Sequence, residues 1–260
     1  MTLARRCLLA LALFALFAAP ARADKELLLD SASPWQISRL RSVGGVTINP
    51  KLEAAEAKQG VSRASQLRSI LKAARGPVHI QVDPTLTRSQ EMVEQARWIK
   101  KLGDSLGRQV IVKIPVTEAG LSAIRTLAQE GVTTNATAVL SVGQAERAAL
   151  AGASYVSPYL ARLEEQTGKP GAGPELVRAI RGSFGALGIK GTRILAASFR
   201  TPAQVTAALA AGADLATVPP KVLRQMSSHA GTRGAMRSFR DAWRGAERVR
   251  PQVRQRGGRR

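Results

Sequence analysis

Short β-like runs alternate with longer helical runs over most of this chain, and this alternation restricts its fold more than any other feature. Two of the longer runs, residues 89–106 and 118–130, place apolar side chains at three- and four-residue spacing, which predicts amphipathic helices. Strict alternation with right-handed crossovers predicts a parallel sheet covered by helices. The predicted strands are residues 26–29, 45–48, 78–82, 110–115, 132–139, 154–156, 193–197 and 215–218. Eight such units in about 200 residues fit an α/β fold of the (β/α)8 TIM-barrel type better than an open doubly wound sheet.

The first 23 residues form a predicted export signal rather than part of the barrel. Residues 1–6 carry two arginines, residues 7–19 are apolar, and the segment ends in the small residues Ala21-Arg-Ala23. This layout predicts a signal peptide at 1–23 and an exported, periplasmic or secreted, barrel domain at 24–247. An organelle transit segment and a wrongly assigned start codon are the alternatives, and with the latter the protein would be cytoplasmic.

The carboxyl end combines one more predicted helix with a basic segment. Residues 233–248 have helical spacing, with Phe239 and Trp243 on one face. We expect this pair to fasten the extra C-terminal helix to the barrel, and a contact between subunits is the alternative. Residues 248–260 are predicted to be a basic disordered tail that contacts anionic surfaces. The tail has no aromatic side chains to stack on bases, which argues against a dedicated nucleic-acid role.

Charge and cysteine content narrow the chemistry further. The formal net charge is +21 at pH 7, and loss of the three arginines in the predicted signal leaves +18. Cys7 is the only cysteine and lies in that signal, which excludes thiol catalysis and disulfides in the mature chain. The chain has only two histidines, His79 and His229, which argues against a histidine-rich metal site.

Polar side chains occur where most of the predicted strands end. In a TIM barrel the functional groups gather at the carboxyl ends of the strands, so these side chains are expected to meet at one mouth. In chain order they are Asp30, Thr47, Asn49, Gln81, Lys113, Asn135, Thr137, Ser157, Tyr159, Arg162, Ser198 and Arg200.

Lys113 lies in the middle of an apolar strand, VIVKIPVT. A lysine in a strand usually lies at a sheet edge, but a closed barrel has no edges. Apolar surroundings disfavour an ammonium, and a neutral amine attacks a ketone to form a Schiff base. Asp30 on the first strand is a candidate acid/base group for the departing hydroxyl. Thr137 is predicted to hold the relay water together with Gln81 or Tyr159.

Three residues after the sixth and seventh strands predict an anion clamp. Arg162, Ser198 and Arg200 combine two guanidinium groups with a hydroxyl, and guanidinium forks fit phosphate oxygens.

Several motifs together resemble the small transaldolase and fructose-6-phosphate aldolase family. They are VIVKIPVT, GVTINP, SYVSPYLAR, ILAASFR and SFRDAW, in the family's order over residues 25–246. The resemblance implies a (β/α)8 barrel, class I aldolase chemistry without metal or organic cofactor, and a homo-oligomer that uses the C-terminal helix. It also implies family roles for seven residues: Lys113 forms the Schiff base, Asp30 is the acid/base, Asn49 belongs to the second loop, Thr137 holds water, and Arg162, Ser198 and Arg200 bind phosphate.

The resemblance leaves two activities open. Gln81 and Tyr159 follow the pattern of the fructose-6-phosphate aldolases, whereas Asn135 and Ser157 follow that of the transaldolases. We favour the aldolase because Gln81 and Tyr159 belong to the proton-handling groups. The implied partner is a sugar phosphate or, for an exported enzyme, a nonphosphorylated donor such as dihydroxyacetone. Ile48 departs from the family's usual second threonine, and a non-catalytic exported binding protein is a further alternative.

Overall fold

A computed structural model describes residues 26–40 and 43–249, the last four by backbone alone, and it contains the predicted closed barrel. Eight parallel strands pair in chain order, and the last pairs with the first. They are β1 (Glu26–Asp30), β2 (Gly45–Thr47), β3 (Val78–Gln81), β4 (Val110–Pro115), β5 (Thr134–Val139), β6 (Tyr155–Pro158), β7 (Arg193–Ala196) and β8 (Leu215–Val218). The prediction of a (β/α)8 barrel is therefore confirmed, with β4 and β8 at their predicted bounds.

Helices surround the barrel and connect its strands. Within the described residues they are α1 (Pro34–Arg39), α2 (Pro50–Glu56), α3 (Arg63–Ala73), α4 (Ser89–Asp104), α5 (Glu118–Gln129), α6 (Val142–Leu150), α7 (Leu160–Thr167), α8 (Ala172–Ala186), α9 (Pro202–Ala210), α10 (Pro220–Met226) and α11 (Ala230–Val249). Thr117 and Thr201 cap α5 and α9 by accepting backbone N–H bonds from Gly120 and Gln204. Each cap fixes the point where a loop leaves the barrel mouth and a helix begins.

Side chains of the strands pack on two sides, against the outer helices and inside the barrel. Outward residues such as Val78 and Ile80 are fully buried against the helices, and the alternate residues of the same strands face the barrel interior. Leu28, Leu195 and Leu215 form a separate apolar cluster that fills part of that interior. The remaining interior positions, toward the carboxyl ends of the strands, are largely polar.

The extra C-terminal helix forms as predicted, but its aromatic side chains do not fasten it to the barrel. Phe239 and Trp243 on α11 are 63% and 57% exposed, and Met236 on the same face is 50% exposed. The prediction that this pair packs on the barrel is wrong, because helical spacing shows which side chains share a face and not what that face contacts. The helix continues through Val249, past the predicted start of the tail at residue 248.

The predicted signal peptide at 1–23 and residues 250–260 of the predicted tail lie outside the described residues. Among the helices that are described, none combines the length and the apolar character needed to cross a bilayer.

Candidate active site

The register of the strands brings the predicted polar residues onto the inner face of the barrel. Gln81, Lys113 and Asn135 are direct neighbours across β3, β4 and β5. Asp30 is the neighbour of Thr47 across β1 and β2. Because paired residues of parallel strands point to the same side, these five side chains share one interior surface.

Lys113 is buried inside the barrel, with 4% of its surface exposed. Its Nζ donates a hydrogen bond of 3.2 Å to the backbone carbonyl of Ile48, the residue that follows β2. That contact directs the amine across the barrel toward the first two strands. The burial and position of Lys113 are those expected of an amine nucleophile held in a water-poor pocket.

Asp30 lies at the end of β1 and is held by a chain of two threonines. Thr47 Oγ1 donates to Asp30 Oδ1 at 2.8 Å and lies 2.6 Å from Thr217 Oγ1 on β8. Burial raises the pKa of the Asp30 carboxyl, while the positive charge of Lys113 and the Thr47 hydrogen bond act in the opposite direction. A carboxyl with a raised pKa holds its proton more readily than an exposed aspartate, as a group that donates and accepts protons in acid/base catalysis requires.

Thr137 and Tyr159 meet on the opposite side of the interior. Thr137 Oγ1 and the Tyr159 hydroxyl lie 2.9 Å apart. A β-bulge follows Thr137, and the bulged residue Ala138 has φ +62°, a conformation that is strained for a residue other than glycine. The structure thus brings together one of the two predicted pairs for holding water. Gln81, the alternative partner, is buried at the end of β3, but no hydrogen bond joins its side chain to Thr137.

A second polar chain runs through Asn135, directly beside Lys113. Ser157 Oγ donates to Asn135 Oδ1 at 2.9 Å, and Asn135 Nδ2 lies 3.2 Å from His79 Nδ1. The sequence predicts no role for His79 in this site. Its inward position follows from β3, because alternation places residues 79 and 81 on the same face.

The residues of the predicted anion clamp lie on the first turn of α7 and on the loop after β7, and these two segments are tied together. Ala161 N donates to the carbonyl of Ser198 at 3.0 Å, and Ser198 has a left-handed φ of +66°. The Arg162 guanidinium lies 5.9 Å from the Tyr159 ring centroid. Arg200 is exposed and donates to the Glu165 carboxylate at 3.0 Å. The two guanidinium groups are therefore near one rim, but Arg200 has a carboxylate partner that the sequence did not predict.

Asn49 has a structural contact in this arrangement. Its side chain caps α2 by accepting from Leu52 N at 3.1 Å. One turn further along α2, the buried Glu53 forms an ion pair of 2.8 Å with Arg63, which also donates to the carbonyl of Gln81 at 2.6 Å. This ion pair ties the loop after β2 to the end of β3 and so positions two predicted site residues.

Sequence reasoning did not identify Thr217, His79 or Glu165 as part of the site. The described residues contain no cluster of three or more His, Cys, Asp or Glu side chains that would hold a metal. The side chains that converge here are an amine, a carboxyl, hydroxyls and amides, a set suited to covalent and acid/base chemistry.

Comparison with known proteins assigns the family. The family model described as Transaldolase/Fructose-6-phosphate aldolase matches residues 27–255. A probable transaldolase of Lactiplantibacillus plantarum is 39% identical over 221 residues, which cover 84% of this chain and 96% of the relative. A probable transaldolase of Thermoplasma acidophilum is 42% identical over 201 residues, with 77% and 86% covered. The chain therefore belongs to the transaldolase/fructose-6-phosphate aldolase family, and it is an enzyme of the class I aldolase type.

Proposed function

We propose that this protein cleaves or forms the carbon–carbon bond to a dihydroxyacetone unit of a ketose phosphate, most like a fructose-6-phosphate aldolase. The observation that carries the proposal is the buried Lys113 amine, which contacts the residue after β2, the strand that pairs with Asp30 of β1. The Lys113 amine adds to the ketone carbon, and loss of water with one proton supplied by the Asp30 carboxyl gives a protonated imine. The Asp30 carboxylate then takes the proton of the C4 hydroxyl, the C3–C4 bond breaks, C4 leaves as an aldehyde, and the electron pair of the bond forms an enamine. Protonation of C3 and hydrolysis of the imine return the free lysine.

The other polar residues have supporting roles in this proposal. Thr137 and Tyr159, 2.9 Å apart, hold the water or hydroxyl through which protons pass. Around the donor, hydrogen bonds come from Thr47, Asn49, Gln81, Asn135 and Ser157. Arg162, Ser198 and Arg200 bind the phosphate, which requires Arg200 to exchange its contact with Glu165 for the substrate.

Transfer of the dihydroxyacetone unit to a second aldehyde, the transaldolase reaction, is the competing activity. The relatives' names and the pair Asn135 and Ser157 support it. Cleavage is favoured by the Tyr159 hydroxyl, because its contact with Thr137 gives the enamine a nearby proton source. The Tyr159→Phe variant should lose cleavage more than it loses transfer. Equal losses of both rates would remove the argument for an aldolase.

Borohydride trapping tests the covalent step. The protein is incubated separately with fructose 6-phosphate and dihydroxyacetone, reduced, and analysed by peptide mapping. We expect a substrate-dependent mass gain on Lys113, no gain in Lys113→Ala, and an undiminished gain in the control Lys101→Ala, which alters an exposed lysine on α4. A folded protein that gains no mass with either ketone, or gains it at another lysine, would contradict the mechanism.

We also propose that the exposed face of α11 forms a contact between subunits of a homo-oligomer. Met236, Phe239 and Trp243 follow one another at three- and four-residue spacing and are each at least half exposed. Phe239→Glu should lower the molar mass measured by light scattering, whereas Leu150→Glu, a control at a 70% exposed residue on α6, should not. The same mass for all three proteins would exclude this face.

Export of the protein and contact of its basic tail with anionic surfaces are proposed from the sequence. The leader at 1–23 supports an exported enzyme, and the intact mass of protein recovered from outside the cytoplasm would show whether cleavage follows Ala23. The arginines of residues 248–260 support contact with anionic surfaces. Binding of the full chain and of a chain ending at residue 249 to anionic vesicles, compared at two salt concentrations, tests that contact.

A further inference from the structure

The proposed chemistry leaves a buried imidazole without a role. His79 lies on β3, two residues before Gln81, and is 1% exposed. Its register neighbours are Thr47 on β2 and Ile111 on β4, so the imidazole lies inside the barrel below the reactive groups. A histidine at such a site is expected to have a hydrogen-bond partner, because burial of an unpaired imidazole is costly.

The contact that His79 makes is with a residue of the proposed substrate site. Asn135 Nδ2 lies 3.2 Å from His79 Nδ1, and Asn135 Oδ1 accepts from Ser157 Oγ at 2.9 Å. With the Asn135 amide nitrogen facing the ring as a donor, Nδ1 is the unprotonated acceptor and the ring proton lies on Nε2. The Asn135 amide is therefore held at both ends, with its nitrogen toward His79 and its oxygen toward Ser157.

The surroundings keep the imidazole neutral and fixed. Burial, followed by the positive charges of Lys113 and Arg193, lowers the pKa of His79 to about 3. The Tyr155 ring meets the imidazole edge to face, with centroids 5.0 Å apart and planes at 75°. Thr47 and Asn135 are the uncharged polar groups that face it from β2 and β5.

We propose that His79 is a positioning residue that sets the direction of the Asn135 amide beside Lys113. The inference rests on the proposed function, in which Asn135 contacts the donor. With His79 as a neutral acceptor, one Asn135 N–H is occupied and the amide cannot rotate to exchange its nitrogen and oxygen. Loss of the acceptor would let the amide turn and present the wrong atom to the substrate.

A double-mutant cycle separates this role from general packing. His79→Phe keeps a ring of similar size and removes the acceptor, and Asn135→Leu removes the amide at nearly constant volume. We expect His79→Phe to lower kcat/KM about tenfold in the parent enzyme, the worth of roughly one hydrogen bond, and less than about twofold in the Asn135→Leu background. Equal losses in the two backgrounds, or no loss in the parent, would overturn the proposal.

The unaltered protein offers a second test that does not depend on how the variants fold. With ¹⁵N-labelled histidine, long-range ¹H–¹⁵N correlation spectra should show one ring, absent in His79→Phe, as the Nε2–H tautomer without titration between about pH 5 and 8. The His229→Gln variant assigns the other ring. An Nδ1–H tautomer, or titration of His79 in that range, would overturn the proposal.

The aldolase mechanism and the positioning role of His79 are refuted by different results. If no ketone is trapped on Lys113, the proposed aldolase mechanism fails, whereas the tautomer of His79 still reports on its contact with Asn135. If trapping succeeds and the cycle shows no coupling, the role of His79 fails and the aldolase mechanism stands.

Discussion

Acidification should destabilise this protein through His79, and replacement of His79 by phenylalanine should remove that effect. Burial and the neighbouring cations Lys113 and Arg193 lower the pKa of His79 from 6.5 to about 3. As the pH falls below 6.5 the unfolded chain takes up a proton on this imidazole, while the folded chain stays neutral until about pH 3. Unfolding therefore binds a proton in this window, so the free energy of unfolding falls as the pH falls.

The size of the effect depends on how far the pH lies below the pKa of His79 in the unfolded chain. For one proton, each pH unit below that value changes the free energy of unfolding by about 1.4 kcal/mol. Between about pH 7.5 and pH 5, His79 should lower the free energy of unfolding by about 2 kcal/mol. The Asp30 carboxyl also titrates differently in the folded and unfolded chains, but it is present in both proteins and cancels in their difference.

Urea unfolding followed by tryptophan fluorescence, at one protein concentration and several pH values, measures this difference. His79→Phe carries its own constant cost from the lost contact with Asn135, so only the change with pH is compared. The parent curve should fall more steeply toward acid, by about 2 kcal/mol over the window. Parallel curves would refute the reasoning, because they would show that His79 has the same pKa in the folded and unfolded chains.

Three further predictions concern the groups around Asp30 and Arg200. Because burial raises the Asp30 pKa, the ionised carboxylate destabilises the folded state at pH values above the usual carboxyl pKa of 3.8. Asp30→Asn should therefore raise the unfolding temperature at pH 8 and lose that advantage near pH 4. The same variant should cut turnover about 100-fold or more. Thr217→Val leaves Thr47 short of one partner, and denaturant unfolding should show a loss of about 1 kcal/mol. Glu165→Ala frees the exposed Arg200, so KM for fructose 6-phosphate should fall by up to about fivefold while KM for dihydroxyacetone, which lacks the phosphate, stays unchanged.

The positions of the site residues were predictable where strand register determines them. Gln81, Lys113 and Asn135 are neighbours on adjacent strands, and period-2 alternation is enough to place them on one face once the barrel is accepted. The same rule applied to β3 places His79 inside, but nothing in the sequence pairs it with Asn135, which is 56 residues away.

The remaining contacts depend on side-chain geometry between distant segments. Thr217 in the strand LATV carries no signal that distinguishes it from any β-branched strand residue. Glu165 lies 35 residues from Arg200, and an exposed pair of this kind depends on how the loop after β7 lies beside α7 rather than on a motif. The wrong prediction for Phe239 and Trp243 has the same cause. The sequence shows that the two side chains share a helix face, but it does not show which surface that face contacts.

The charges of the barrel interior explain why a neutral acceptor is needed below Lys113. The facing groups include two cations, Lys113 and Arg193, and both disfavour a third positive charge on His79. An aspartate or glutamate at residue 79 would also accept from Asn135, but its negative charge would attract the positively charged Lys113 into an ion pair, and that ion pair would compete with the substrate ketone for the amine. A neutral imidazole supplies the acceptor without adding a negative charge beside Lys113. His79→Glu should therefore lower the rate of borohydride trapping on Lys113, whereas His79→Phe should leave that rate near the parent value while kcat/KM falls.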